Sequence, residues 1–186
     1  MIAINKFMLQ TIINKYCQLL SFLIAAALAV MVVLVFGNVV MRYAFNSGLT
    51  LSEELSRWLF VWVTFLGAIV AIKDGAHLGT DMLISRLSVQ GKKRCLLLGL
   101  LLMLFVCWLM FKGSLEQVKI NLESRSAVME IPMAWFYASG LVFAVSAAVI
   151  VLNQLWRLAT GQLSEAELIG IRESEEAPVD TPKPVQ

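Results

Sequence analysis

A chain of 186 residues that is 59% hydrophobic and 15% charged, with mean hydropathy +0.79, lacks the polar material to cover a soluble core; globular domains carry about 25% charged residues. A net charge of +2, with no strip that interleaves aromatic and basic residues, excludes nucleic acid as a partner. The three cysteines, Cys17, Cys95 and Cys107, form no CxxC pair, so neither a zinc site nor a redox couple is signalled, and they read as small apolar packing residues. The fold class that follows is an all-α integral membrane protein with four transmembrane helices and short amphipathic or interfacial helical extensions.

Residues 1–18 are mildly polar and read as a cytoplasmic N-terminal segment, carrying Lys6 and Lys15 ahead of an apolar run from Leu19 to Val40. That run continues well past Ala25-Ala26-Ala27, beyond a signal-peptide core of about 7–15 residues, so it reads as a retained first span over about 19–41. Asn38 and Arg42 close it on one face, with Arg42 placed to reach toward headgroups. Asn46-Ser47-Gly48 is turn material.

The second span covers about 51–72. Thr50 or Ser52 is placed to cap it, and Glu53 and Glu54 in its first turn suit the helix dipole. Charges at the border of a membrane helix are costly unless paired or brought to a polar surface, and Arg57 stands at helical spacing from both acids. The group is expected either to pair within its own helix or to form a polar contact surface for lipid headgroups or a partner subunit. Trp58 and Trp62 are expected to be interfacial anchors, and Gly67 with Ala71 to give a close helix contact.

The following polar loop holds Gly75, His77, Gly79 and Asp81. His77 and Asp81 are four apart, but with no other histidine in the chain they do not make a metal site. A third span is expected over about 95–111, continued to about 125 by a helical extension in which Leu115, Val118 and Leu122 share a face. Pro132 then marks the boundary of a fourth span over about 133–157, with Trp135 and Tyr137 at its mouth and a small-residue seam of Gly140, Ala144 and Ala148. Residues 159–186 are acidic and proline-containing and read as a disordered cytoplasmic tail that ends the chain unfused. Lys92-Lys93-Arg94, with Lys6, Lys15 and Arg157, puts both termini in the cytoplasm by the positive-inside rule.

Certain of these residues form a recognisable series. Asn38-Val39, Arg42-Tyr43, Phe45-Asn46, Ser52-Glu53-Glu54-Leu55, Arg57, Phe60-Val61-Trp62, Phe65-Leu66-Gly67-Ala68, His77 and Asp81 together resemble the small membrane subunit, the DctQ-type component, of tripartite ATP-independent periplasmic (TRAP) transporters. Ile131-Pro132 with Trp135 and Tyr137 is similar to that family's opening of the fourth helix. The resemblance spans roughly Leu19–Leu158. It implies a non-catalytic subunit of a secondary, sodium-driven uptake system for organic acids such as sialic acid or dicarboxylates, in a bacterial inner membrane. The implied partners are a large membrane subunit of about twelve helices and a periplasmic substrate-binding protein. The implied role is to brace the large subunit's scaffold and help dock the binding protein. No cofactor, metal or catalytic residue is expected.

The residues agree with a supporting part, because no acid falls at a span centre, where an ion-coupling group belongs. The expected subunit or lipid contact surface comprises Asn38, Arg42, Glu53, Glu54, Arg57, Trp58, Trp62, Gly67, His77 and Asp81. Three rival readings are weaker. A homo-oligomeric small transporter or channel needs polar groups along its own pathway. A four-helix thiol oxidase needs paired cysteines. A supporting subunit of an unrelated membrane complex would lack the residue series above.

Overall fold

The computed structural model describes residues 2–74 and 89–160, with side chains described for 11–74 and 90–160. Four long helices fill these stretches: α1 (Ile2–Phe45), α2 (Thr50–Lys73), α3 (Val89–Ile120) and α4 (Ala134–Ala159). Each contains a stretch long and apolar enough to cross a membrane. At about 1.5 Å per residue, the 24 residues of α2 give about 36 Å, which matches a hydrocarbon core of about 30 Å with its borders.

Three boundaries differ from the sequence reading. The first helix has 44 residues and starts at Ile2, so residues 2–18 continue the first span as helix. Lys92, Lys93 and Arg94 lie in the opening turns of α3. Lysine and arginine are good helix formers whose long side chains reach past an apolar border. At the other end α3 stops at Ile120 and does not run on to 125. The Asn121 backbone N–H still bonds to the Gln117 carbonyl at 3.1 Å, and its side-chain amide donates to the same oxygen at 2.9 Å. Asn121 thereby offers the backbone a side-chain alternative to the helical ladder.

The helices stand in a row in the order α1, α2, α4, α3, and near the termini α1 also crosses onto α4, where Tyr16 meets Ser146. α1 lies beside α2, α2 beside α4, and α4 beside α3. The inner pair runs parallel with matching seven-residue steps, Trp58 meeting Phe136 at 5.8 Å between ring centroids and Phe65 meeting Phe143 at 5.6 Å. Between α4 and α3 the expected small-residue seam is buried at Gly140 and Ala144, whereas Ala148 is only half-buried; Ser139, Ala147 and Val151 are the other buried residues of this stretch. A Cβ added at Gly140 would lie 2.6 Å from the Ser114 hydroxyl, so glycine is what lets the two backbones approach there. Towards the ends that bear the chain termini, Leu20, Ile69 and Ile150 form the core, and Tyr16 and Ser146 share a 2.9 Å hydroxyl hydrogen bond.

The outside of the row is apolar. Phe22, Val33 and Phe36 of α1 are about 70% exposed, and Phe105 and Trp108 of α3 are more than half exposed. A soluble monomer does not present continuous apolar surface on this scale. Lipid or another membrane chain is the medium that fits it.

Candidate contact site at the closed end of the helix row

Two connections lie at the same end of the row, residues 46–49 between α1 and α2 and residues 121–133 between α3 and α4. Asn46 ends α1 in the left-handed conformation (φ 51°), which asparagine tolerates better than most residues. The Ser47 N–H bonds back to the Met41 carbonyl at 3.1 Å. The chain thus reverses within four residues and sets the first turn of α2 against the last turns of α1.

The reversal decides the partners of the border charges. Glu53 does not pair with Arg57. Its Oε1 accepts from Arg42 Nη2 at 2.5 Å and from Asn38 Nδ2 at 3.2 Å, both on α1. Asn38, only 8% exposed, also accepts from the Leu49 N–H at 2.7 Å through its Oδ1. Leu49 is the residue that caps α2, and no side chain of its own helix supplies the cap bond. The expected caps are therefore corrected: Thr50 is the first helical residue, and the Ser52 hydroxyl donates across to the Leu34 carbonyl of α1 at 2.6 Å. Asn38 does the capping work from the neighbouring helix. A buried amide bonded at both ends offsets its desolvation, which an unpaired one would not.

Glu54 turns the other way. Its Oε2 accepts from the backbone N–H groups of Val128 at 2.8 Å and Met129 at 3.3 Å, and the Ser126 hydroxyl stands beside the same carboxylate. The segment that receives it is a tight hairpin. Ser126 N–H bonds to the Ile131 carbonyl at 2.9 Å, Met133 N–H to the Ser124 carbonyl at 2.8 Å, and Arg125 Nη1 to the Glu130 carbonyl at 3.0 Å. Glu130 makes the turn at φ 55°. Two successive backbone N–H groups aimed at one carboxylate form an anion-holding concavity. Glu54 thereby ties α2 to the connection ahead of α4.

The remaining expected residues divide. Arg57 is exposed and forms no ion pair among the described residues, although it lies near enough to Glu54 to act on it through space. Trp58 is not an interfacial anchor: it is 9% exposed and packs edge-to-face on Phe136, inside the α2–α4 seam. Trp62 is half-buried. Gly67 does not mark a close approach within this chain, since a Cβ there would meet nothing within 4 Å. His77, Asp81, Gly75 and Gly79 and the acidic tail from 161 lie outside the described residues. Among the described residues no three His, Cys, Asp or Glu side chains gather as metal ligands would.

The residues that the sequence reading missed are Ser52 as a cross-helix donor, Ser126–Met129 as the receiver of Glu54, and the cavity between α1 and α2. That cavity, about 260 Å³, is lined by Val35, Asn38, Val39, Arg42, Tyr43, Ser52, Glu53 and Ser56. The Arg42 guanidinium forms its outer wall and rests on the connection, 3.6 Å from where a Cβ of Gly48 would stand.

Residues 31–161 match the family model of tripartite ATP-independent periplasmic transporters, DctQ component. The chain is 34% identical over 143 residues to a Haemophilus influenzae chain assigned as a TRAP transporter small permease protein, covering 77% of this chain and 87% of that one. It is 28% identical over 170 residues to the sialic acid TRAP transporter small permease protein SiaQ of Vibrio cholerae, covering 87% and 94% of the two chains. A third relative, the isethionate TRAP transporter permease protein DctMQ of Oleidesulfovibrio alaskensis, is 25% identical over 145 residues, 74% of this chain but 22% of that longer one.

Proposed function

Because the chain belongs to the DctQ family and is a TRAP small permease subunit, a multi-pass membrane protein, we propose that it serves as a stationary brace for a larger transport subunit. The observation that carries this reading is the distribution of charge along the row. No charged residue lies between Lys15 and Arg42, between Arg57 and Lys73, between Arg94 and Lys112, or in α4 before Arg157. A pathway for an ion or an anionic solute needs polar groups at membrane depth; these spans offer apolar surface for packing. An apolar row tied at its closed end by Asn38, Glu53 and Glu54 is a wall, suited to widening a scaffold past which another body moves.

In this reading the large subunit, of about twelve helices, carries the substrate and sodium sites, and a periplasmic binding protein delivers the solute. The matched stretch occupies 22% of a longer permease chain in the isethionate relative, which supports a unit of this kind working beside a larger membrane body. The cargo is an organic acid; relatives named for sialic acid and isethionate support that class. The chain itself carries out no chemistry. Basic residues at the ends of the row that bear the termini favour N-in, C-in insertion in a bacterial inner membrane. The closed end would then face the periplasm, where exposed Arg57 and the 121–133 hairpin could meet the binding protein or the large subunit.

The experiment is a tagged pull-down from cells expressing the chain with its native neighbours, in a mild detergent. The expected result is a one-to-one complex with a polytopic protein at least about twice its size. Recovery only with copies of itself, together with solute movement by those copies alone in liposomes, would overturn the reading in favour of an independent small transporter.

A further inference from the structure

The α1–α2 cavity is not consumed by the bonds that hold the closed end together. Arg42 uses Nη2 on Glu53, and its Nε and Nη1 make no hydrogen bond among the described residues. Glu53 spends Oε1 on both Asn38 and Arg42, and its Oε2 has no partner among the described residues. Ser56 also lines the cavity; it is 9% exposed, and its buried hydroxyl has no partner among the described residues. A buried hydroxyl left without a partner costs free energy, which nothing beside the cavity offsets among the described residues.

The shape of the cavity narrows the class of ligand. Its volume of about 260 Å³ is far above the roughly 30 Å³ share of one water. One wall is polar and zwitterionic, Arg42 with Glu53. The other is apolar, Val35 and Val39 one turn apart and about half exposed, running from the charged border along α1 towards the middle of the span. A cation and an anion fixed side by side at membrane-border depth match a headgroup that carries both signs, and the apolar groove continues where an acyl chain would lie.

We propose that this cavity holds one phospholipid of the ethanolamine class, with its phosphate on the free N–H groups of Arg42 and its primary ammonium on Glu53. A choline headgroup has no N–H to give Glu53, and a glycerol headgroup has no cation, so both should bind less well. The assignment deepens the border-contact part of the proposed function and rests on the membrane-spanning reading. It does not require the partnership with a large subunit.

The test is native mass spectrometry of the full chain, with whatever co-purifies, released into mild detergent doped in turn with phosphatidylethanolamine, phosphatidylcholine and phosphatidylglycerol of identical acyl composition. The expected result is one phosphatidylethanolamine retained per chain, at several-fold higher occupancy than either other lipid. Arg42→Gln and Val39→Trp should each bring that occupancy down to the phosphatidylcholine level. Val39→Trp fills the groove but leaves the Arg42–Glu53 pair in place, so its unchanged melting temperature would separate loss of lipid from loss of fold. In parallel, a photo-reactive phenylalanine analogue in place of Tyr43, an aromatic residue that already lines the cavity, should give an adduct of lipid mass when activated in cells. Equal retention of the three lipids, retention unaffected by Val39→Trp, or a crosslink only to a protein would each overturn the proposal. Loss of the protein partner with lipid retention intact would count against the bracing role and leave the lipid site standing.

Discussion

At the scale of single residues, burial ranks the border side chains more reliably than charge does. Arg42 and Glu53 form the conspicuous ion pair, but their side chains are 59% and 49% exposed, and exposed pairs are worth about 0–1 kcal/mol. Asn38 is uncharged and buried, and it satisfies the Leu49 N–H and Glu53 together. Asn38→Ala should therefore cost about 1–3 kcal/mol by removing both hydrogen bonds of a buried side chain, against less than about 1 kcal/mol for Arg42→Gln. Thermal unfolding of the two variants in one detergent checks the order; an Arg42→Gln variant less stable than Asn38→Ala would contradict it. Asparagine and arginine four apart were legible in the sequence as a border feature. Their partners were not, because choosing between Arg57 and Arg42 for Glu53 depends on how the chain reverses at Asn46.

At the scale of elements, what sequence reading reached was whatever repeats locally. The Gly140–Ala144 seam is such a case, since small residues at helical spacing have one obvious use. Gly140→Ala should force the Ser114 hydroxyl to turn, with a loss that Ser114→Ala relieves in the double variant, whereas Gly140→Leu should separate α3 from α4 at about 1–3 kcal/mol. Melting of the three variants reads this directly. Failure of Ser114→Ala to relieve Gly140→Ala would mean that the close approach lies elsewhere. Trp58 shows the limit: its spacing from Trp62 suits an interfacial belt, and only contact with Phe136, far along the chain, shows that it is packed inside. Glu54 is hidden in the same way, because its donors Val128 and Met129 are backbone groups more than seventy residues away. Glu54→Gln weakens a charge-assisted acceptor, so the Val128 and Met129 amides should exchange hydrogen faster, with the α1–α2 amides unchanged. Exchange left as in the parent chain would show that the hairpin stands without Glu54.

At the scale of the whole molecule, four spans and their composition were evident from hydropathy alone, while the row arrangement was not, because period and length do not say which helix touches which. With connections 46–49 and 121–133 at one end, cysteines placed at Gly48 and Ala127 in a chain whose own three cysteines are replaced should label from the same side of the membrane. Under N-in, C-in insertion that side is the periplasm, and a membrane-impermeant maleimide on intact cells should reach both. Labelling of one without the other would break the four-span topology; labelling of neither would invert it.

The row also sets an order of assembly during synthesis. The α1–α2 hairpin closes through contacts between neighbours in sequence, so it can be complete while the ribosome is still making α3. The inner seam cannot, because every partner of α2 on that side, from Val128 to Ile150, comes from the last third of the chain. Until α4 is inserted, Glu54 lacks its backbone donors and Trp58, Phe65 and Ile69 face lipid. A chain halted before residue 126 therefore carries at the membrane border a carboxylate without the two backbone donors that hold it in the finished protein.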